Sequence, residues 1–199
     1  MNDTILIGAL LILIGNLVYL YYKKRKELLN LREINFELLK NNEEIKKTLA
    51  MGLYYRFSKQ TIEEGETPTD FERFVANVMK NYYGGETYLR GGSGDYGINI
   101  ELEREEGTFL CQVKCYGEHE NVSFEPIALI HSNIIREDAN GGFVVTTSDF
   151  TEQAIRYNNS LKIELINGIK LVDYWIEGLE KQLDIINSIK EHKEPELEY

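Results

Sequence analysis

Asn99 and Glu101, and then Gln112 and Lys114, stand at alternate positions inside two runs that otherwise ask for burial. Residues 98–103 read Ile-Asn-Ile-Glu-Leu-Glu, and residues 109–116 read Phe-Leu-Cys-Gln-Val-Lys-Cys-Tyr. Side chains alternate between the faces of a strand. As strands, the first run puts Ile98, Ile100 and Leu102 on one face and Asn99, Glu101 and Glu103 on the other. The second puts Leu110, Gln112, Lys114 and Tyr116 together, opposite Cys111, Val113 and Cys115. A turn at 105–107 joins the two, and hairpin pairing brings Asn99 and Glu101 beside Gln112 and Lys114. Carboxylate and carbonyl oxygens can hold Mg²⁺, which polarises a phosphate and activates a water. A lysine beside them stabilises developing charge or orients the water. That is the chemistry of phosphodiester hydrolysis. The spacing alone fits equally a half-exposed hairpin with an ordinary polar face.

Other motifs fall in order around this hairpin. They are Phe71-Glu72, Gly94-Asp95-Tyr96-Gly97-Ile98-Asn99, Gln112-Val113-Lys114, Thr146-Thr147, Phe150-Thr151-Glu152-Gln153-Ala154 and Leu165-Ile166-Asn167-Gly168-Ile169-Lys170-Leu171. In them the sequence resembles the Mrr-type restriction endonuclease family of the PD-(D/E)xK nuclease superfamily, over residues 69–174. Each motif alone is weak, and the ordered set carries the resemblance.

The resemblance implies an α/β fold, with a restriction-endonuclease-like central mixed sheet flanked by helices. It implies a DNA endonuclease acting on foreign or modified DNA and using Mg²⁺, with Mn²⁺ as a substitute. Glu72, Asn99, Gln112 and Lys114 then form the catalytic set, and Glu72, Gln112 and either Asn99 or Glu101 surround the metal. One departure stands out: the family's metal-binding aspartate falls on Asn99. An amide carbonyl is neutral and a poorer Mg²⁺ ligand than a carboxylate. Asp95 is ~13 Å away along a regular strand, whereas Glu101 is ~7 Å along on the same face. A second reading therefore stays open, an inactive nuclease-fold module that binds nucleic acid or a protein partner at the membrane. A third makes the N-terminal segments the functional parts.

Those segments begin with a mostly apolar run at 5–22, ~27 Å long as a helix. Tyr19, Tyr21 and Tyr22 stand where an interfacial belt would, and Lys23, Lys24, Arg25 and Lys26 follow. The expectation is a transmembrane anchor at 1–22, single-pass in an inner or plasma membrane, with the remainder cytoplasmic. The rival, a cleaved signal peptide, lacks a basic start. Residues 23–60 read as a helical stalk. Leu28, Leu31, Asn35, Leu38, Asn42, Ile45 and Leu49 recur at spacings of three and four, which fits a coiled-coil homodimer or an amphipathic helix lying on its own domain. A linker is expected at 61–68, the nuclease domain at 69–175, and a C-terminal helix with an acidic tail at 176–199. Within the domain, Thr69 or Asp70 caps a helix that carries Glu72. Strands and helices then alternate, which argues a mixed sheet. The glycines at 91–94 precede a strand rather than opening a helix, so a nucleotide-binding loop is not expected.

The net charge is −11, unevenly spread: 10 Lys and Arg against 6 Asp and Glu in residues 1–60, and 12 against 27 beyond. So acidic a second part argues against avid nonspecific binding to nucleic acid. Arg90, Lys114 and Arg136 are the cations nearest the motif. Cys111 and Cys115 lie on one face of one strand, too far apart to bridge, and read as small buried hydrophobes.

Overall fold

In a computed structural model of the chain, residues 2–58, 67–91, 96–117 and 119–193 are described. They fall into two compact units, Met1–Asn41 and Asn42–Tyr199. The expected linker lies mostly outside the described residues, as do Asp95 and the acidic tail from residue 194.

The first unit is a single helix, α1 (Asn2–Asn41). It corrects the expected transmembrane anchor, and with it the single-pass membrane location. Among the described residues, no helix is long and apolar enough to cross a membrane. Asn16 and the hydroxyls of Tyr19, Tyr21 and Tyr22 bring polar atoms into the run, and Lys23, Lys24, Arg25 and Lys26 close it.

The 23–60 segment is not one continuous helix either. Asn42 takes an extended backbone and caps α2 (Glu43–Phe57), its side chain accepting the Ile45 N–H at 3.1 Å. An asparagine side chain competes for local backbone groups in this way, so seam position 42 is a boundary. In the second unit, α2 buries Lys46, Ala50, Leu53 and Phe57 on one face.

That unit is a five-stranded sheet whose spatial order follows the chain: β1 (Glu86–Leu89), β2 (Ile100–Arg104), β3 (Gly107–Lys114), β4 (Gly141–Thr146) and β5 (Ile163–Ile166). The first three pair antiparallel, and β3, β4 and β5 are parallel. Parallel neighbours need crossover connections, here α4 (Glu125–Arg136) and α5 (Glu152–Tyr157). Leu110 and Val144 join Ile127, Ile130 and Ala154 of these helices in one buried cluster. Cys111 and Phe143, of opposite parity, face the other side. There α3 (Pro68–Tyr83) packs, with the Tyr83 ring 5.1 Å from Phe143. β4 is buried along its whole length, which is why it reads as a continuous run rather than alternating. The cap of α3 is Thr67 rather than Thr69 or Asp70. Asp70 completes a capping box with it, accepting the Thr67 N–H at 2.7 Å, an arrangement worth ~1 kcal/mol.

The long helix α6 (Gly168–Lys193) ties the layers together. Its Asp173 holds the buried Lys46 ammonium at 2.7 Å. Its Tyr174 hydroxyl donates to Glu164 of β5, as does Tyr83 of α3 at 2.6 Å, and Lys170 lies at 2.8 Å. Burial pushes the Glu164 carboxyl upward, but these donors together outweigh it and hold the group below its ordinary range.

Two outcomes follow. Asp173→Ala strands a buried ammonium and should cost ~2–4 kcal/mol in urea unfolding, whereas Lys46→Met, which keeps the stem and removes the charge, should cost under ~1 kcal/mol. Equal losses would show that the pair acts by packing alone. Because the Glu164 carboxyl is depressed on folding, its contribution is present above ~pH 4.3 and is lost as pH falls through the folded value. Glu164→Gln should therefore flatten the acid limb of stability against pH.

Candidate active site

The hairpin is regular from Ile100, which pairs with Cys111, to Arg104 opposite Gly107. One residue earlier the ladder slips. The Asn99 N–H donates to Cys111 O at 2.9 Å, out of step with that register, and Asn99 O accepts the Arg90 N–H at 2.8 Å. The Val113 N–H is taken by a side chain, Asn99 Oδ1 at 2.8 Å. A buried backbone N–H needs an acceptor, so this bond fixes which end of the Asn99 amide is oxygen. The NH₂ end then faces α3, where it donates to Glu72 Oε1 at 2.8 Å. Asn99 thus bridges Glu72 to β3.

Gln112 is 4% exposed, and its Oε1 has no hydrogen-bond partner among the described residues. Leaving such an oxygen unpaired costs ~1–3 kcal/mol. Its Nε2 lies against the 96–97 turn: a Cβ built on Gly97 would sit 3.1 Å from it and 2.4 Å from Leu129 Cδ2, and Gly97 has φ +80°. Only glycine suits that position. Lys114 ends β3 half-buried, opposite Thr146. Among the described residues, no hydrogen bond or ion pair engages its ammonium.

Glu101 does not join this group. Arg90 holds it, through Nε at 2.7 Å, and also holds Glu137 at 2.7 Å. Arg136 adds a second cation to Glu137 at 2.7 Å. Arg136, against some burial and with help from Arg90, keeps the Glu137 carboxyl below its ordinary range. Two of the cations read from the sequence therefore sit in a neutral four-membered network beside the site. Burial, and then the Glu72 charge, push the Cys111 thiol up, and burial does the same to Cys115. Neither is a nucleophile. Sequence reasoning missed Asn133, 2% exposed, which donates to Tyr96 O at 2.8 Å and so holds the turn before Asn99. The available signal was a polar residue three positions past Ile130 on the buried stripe of α4.

Among the described residues, no three His, Cys, Asp or Glu side chains converge to hold a metal ion. The donors that remain are the Glu72 carboxylate and the orphaned Gln112 Oε1. Asn99 presents a donor, not a lone pair, and Glu101 is engaged. One carboxylate and one amide oxygen fit an ion such as Mg²⁺ that keeps waters and takes substrate phosphate oxygens as its other ligands.

A mixed sheet flanked by helices in this order defines a restriction-endonuclease-like fold. The Mrr catalytic-domain family, described as restriction endonuclease, matches residues 64–175, and the chain belongs to it. Nuclease domains of this type act on DNA and typically use a divalent metal. No curated protein matches by sequence. Two solved structures are similar. One is the MspJI restriction endonuclease in complex with a 27-mer oligonucleotide, with a TM-score of 0.52 and 19% identity, over 75% of this chain and 36% of that one. The other is the DNA modification-dependent restriction endonuclease AspBHI, with a TM-score of 0.50 and 16% identity, over 72% and 40%. The chain thus spans two fifths or less of either neighbour, and at these identities the likeness concerns the fold.

Replacing the bridging amide by a carboxylate, Asn99→Asp, sets two like charges at hydrogen-bond distance, which do not both ionise without a counter-ion. We expect Asn99→Asp to lower the thermal midpoint by a few °C in EDTA at pH 8. The midpoint should recover as pH falls and one carboxyl gains a proton, and should rise with Mn²⁺ more than that of the unsubstituted chain. A variant indifferent to both pH and Mn²⁺ would mean that residue 99 does not face Glu72.

Proposed function

We propose that this chain is a divalent-metal-dependent DNA endonuclease, with Mg²⁺ as the working ion, acting on foreign or modified DNA. The observation that supports this reading is the half-buried Lys114 ammonium, two residues from the Gln112 oxygen, neither having a partner among the described residues, with Asn99 holding Glu72 on the neighbouring α3. Lys114 stabilises the negative charge that develops on the scissile phosphate. Glu72 and Gln112 would hold the ion, which would polarise the phosphate and lower the pKa of a bound water. Asn99 is a positioning residue that aims Glu72. In the reaction the water oxygen bonds to phosphorus, a P–O ester bond breaks, and the departing oxygen takes up a proton.

A second reading is favoured by the Asn99–Glu72 bond itself. With its donor turned inward, Asn99 occupies the Glu72 carboxylate, and such a domain can bind DNA without cutting it.

Plasmid cleavage by the full chain in Mg²⁺ or Mn²⁺ separates the two. The nuclease reading expects cutting that EDTA stops and that Lys114→Ala slows by at least ~100-fold. DNA binding without cutting, together with cutting by Asn99→Asp, would transfer the conclusion to the binding module.

A further inference from the structure

We propose that Tyr96, backed by Arg136, is a stacking platform for an unstacked nucleobase of the DNA strand held at Gln112 and Lys114. The proposal rests on the reading that this site acts on DNA, and adds a base contact to it. Tyr96 is 64% exposed, with φ +51°. A bulky residue in that region is an outlier, and strain of this kind costs ~1–3 kcal/mol unless the surroundings hold it. They do hold it. The buried Asn133 side chain donates to Tyr96 O, and Gly97 next to it fits against Leu129 where no Cβ could go. An idle surface tyrosine would not need a buried asparagine to keep its backbone left-handed.

The ring does not stand alone. The Arg136 guanidinium lies 4.2 Å from its centroid, and Glu137 fixes that guanidinium, itself fixed by Arg90. Leu129, Ser132 and Arg136 follow one another along α4 at spacings of three and four, so an exposed stripe continues the ring's surface. A phenol ring over a guanidinium suits a flat π-face, and every base offers one.

Charge decides between base and phosphate as the ligand. Arg136, Arg90, Glu137 and Glu101 cancel, so the network supplies no positive field for a phosphate. Contact through stacking releases no counterions. Distance decides which base it is. The 96–97 turn touches Gln112, so the platform is within a nucleotide or two of the bond to be cut.

The test measures DNA affinity of the full chain in EDTA, by anisotropy over a salt series, beside cleavage in Mg²⁺. A set of oligonucleotides carries 2-aminopurine at successive positions. Tyr96→Gly removes the ring but suits the left-handed backbone, so its thermal midpoint should not fall. It should weaken binding about 5- to 100-fold with an unchanged salt slope, and should abolish the 2-aminopurine signal at one position. Tyr96→Phe should stay within about twofold of the unsubstituted chain. Undiminished binding by Tyr96→Gly, or a Tyr96→Phe defect as large as that of Tyr96→Gly, overturns the platform while cleavage by the unsubstituted chain leaves the nuclease reading standing. A changed salt slope overturns it in favour of a phosphate contact. If the unsubstituted chain neither binds nor cuts DNA, both fall together.

Discussion

The backbone N–H of Val113 sets the terms for this site. It lies in the central strand, in a part of the hairpin where β2 has not yet begun and no backbone carbonyl faces it. A buried N–H cannot be left unpaired without a loss of ~1–3 kcal/mol, so the side chain at position 99 must offer it an oxygen. Once it does, the other end of that side chain points at α3 and fixes Glu72. One unmet hydrogen bond thus couples the mixed sheet to the α3 layer. On either side of Val113 in β3, the Gln112 oxygen and the Lys114 ammonium have no hydrogen-bond partner among the described residues.

Electrostatics around the site follows a different logic. The second part of the chain is heavily acidic, yet two carboxylates beside the hairpin, Glu101 and Glu137, are paired with Arg90 and Arg136, as Glu164 on β5 is with Lys170 and two phenols. Partly buried pairs of this kind are screened little by salt. This paired network adds little positive field, so on the proposed reading DNA is oriented by shape, by Lys114 and by stacking rather than by the basic surface that nonspecific DNA binders use.

The strands were legible in the sequence because their period is two, and residues 98–103 and 109–116 alternate cleanly. The alternation did not show the slip at Asn99, which turns its amide to Glu72 of α3. Nor did it show the fate of Glu101: that residue is on the expected face, but its partner Arg90 also holds Glu137, 47 residues from Arg90 along the chain, and no local pattern announces such a pair. The helical reading of 23–60 is interrupted at a single residue, Asn42. Over three repeats a coiled-coil period of 3.5 and a docked-helix period of 3.6 are indistinguishable, and Asn42 reads as a seam asparagine until its extended backbone is seen. The run at 5–22 has the length and flanking charge of a span, but Asn16 and three tyrosines put polar atoms inside it.

Asparagine at position 99 separates two duties that an aspartate would combine. Either residue can offer Val113 an oxygen, so the hairpin and its register are indifferent to the exchange. Toward Glu72 the two are opposites: an aspartate would repel that carboxylate and require a cation between them, whereas the amide donates to it directly and removes the requirement. The Asn99–Glu72 bond therefore does part of a cation's structural work without its chemical work. On the proposed reading, an ion at this site would be held by Glu72 and Gln112, with the substrate phosphate supplying further oxygens.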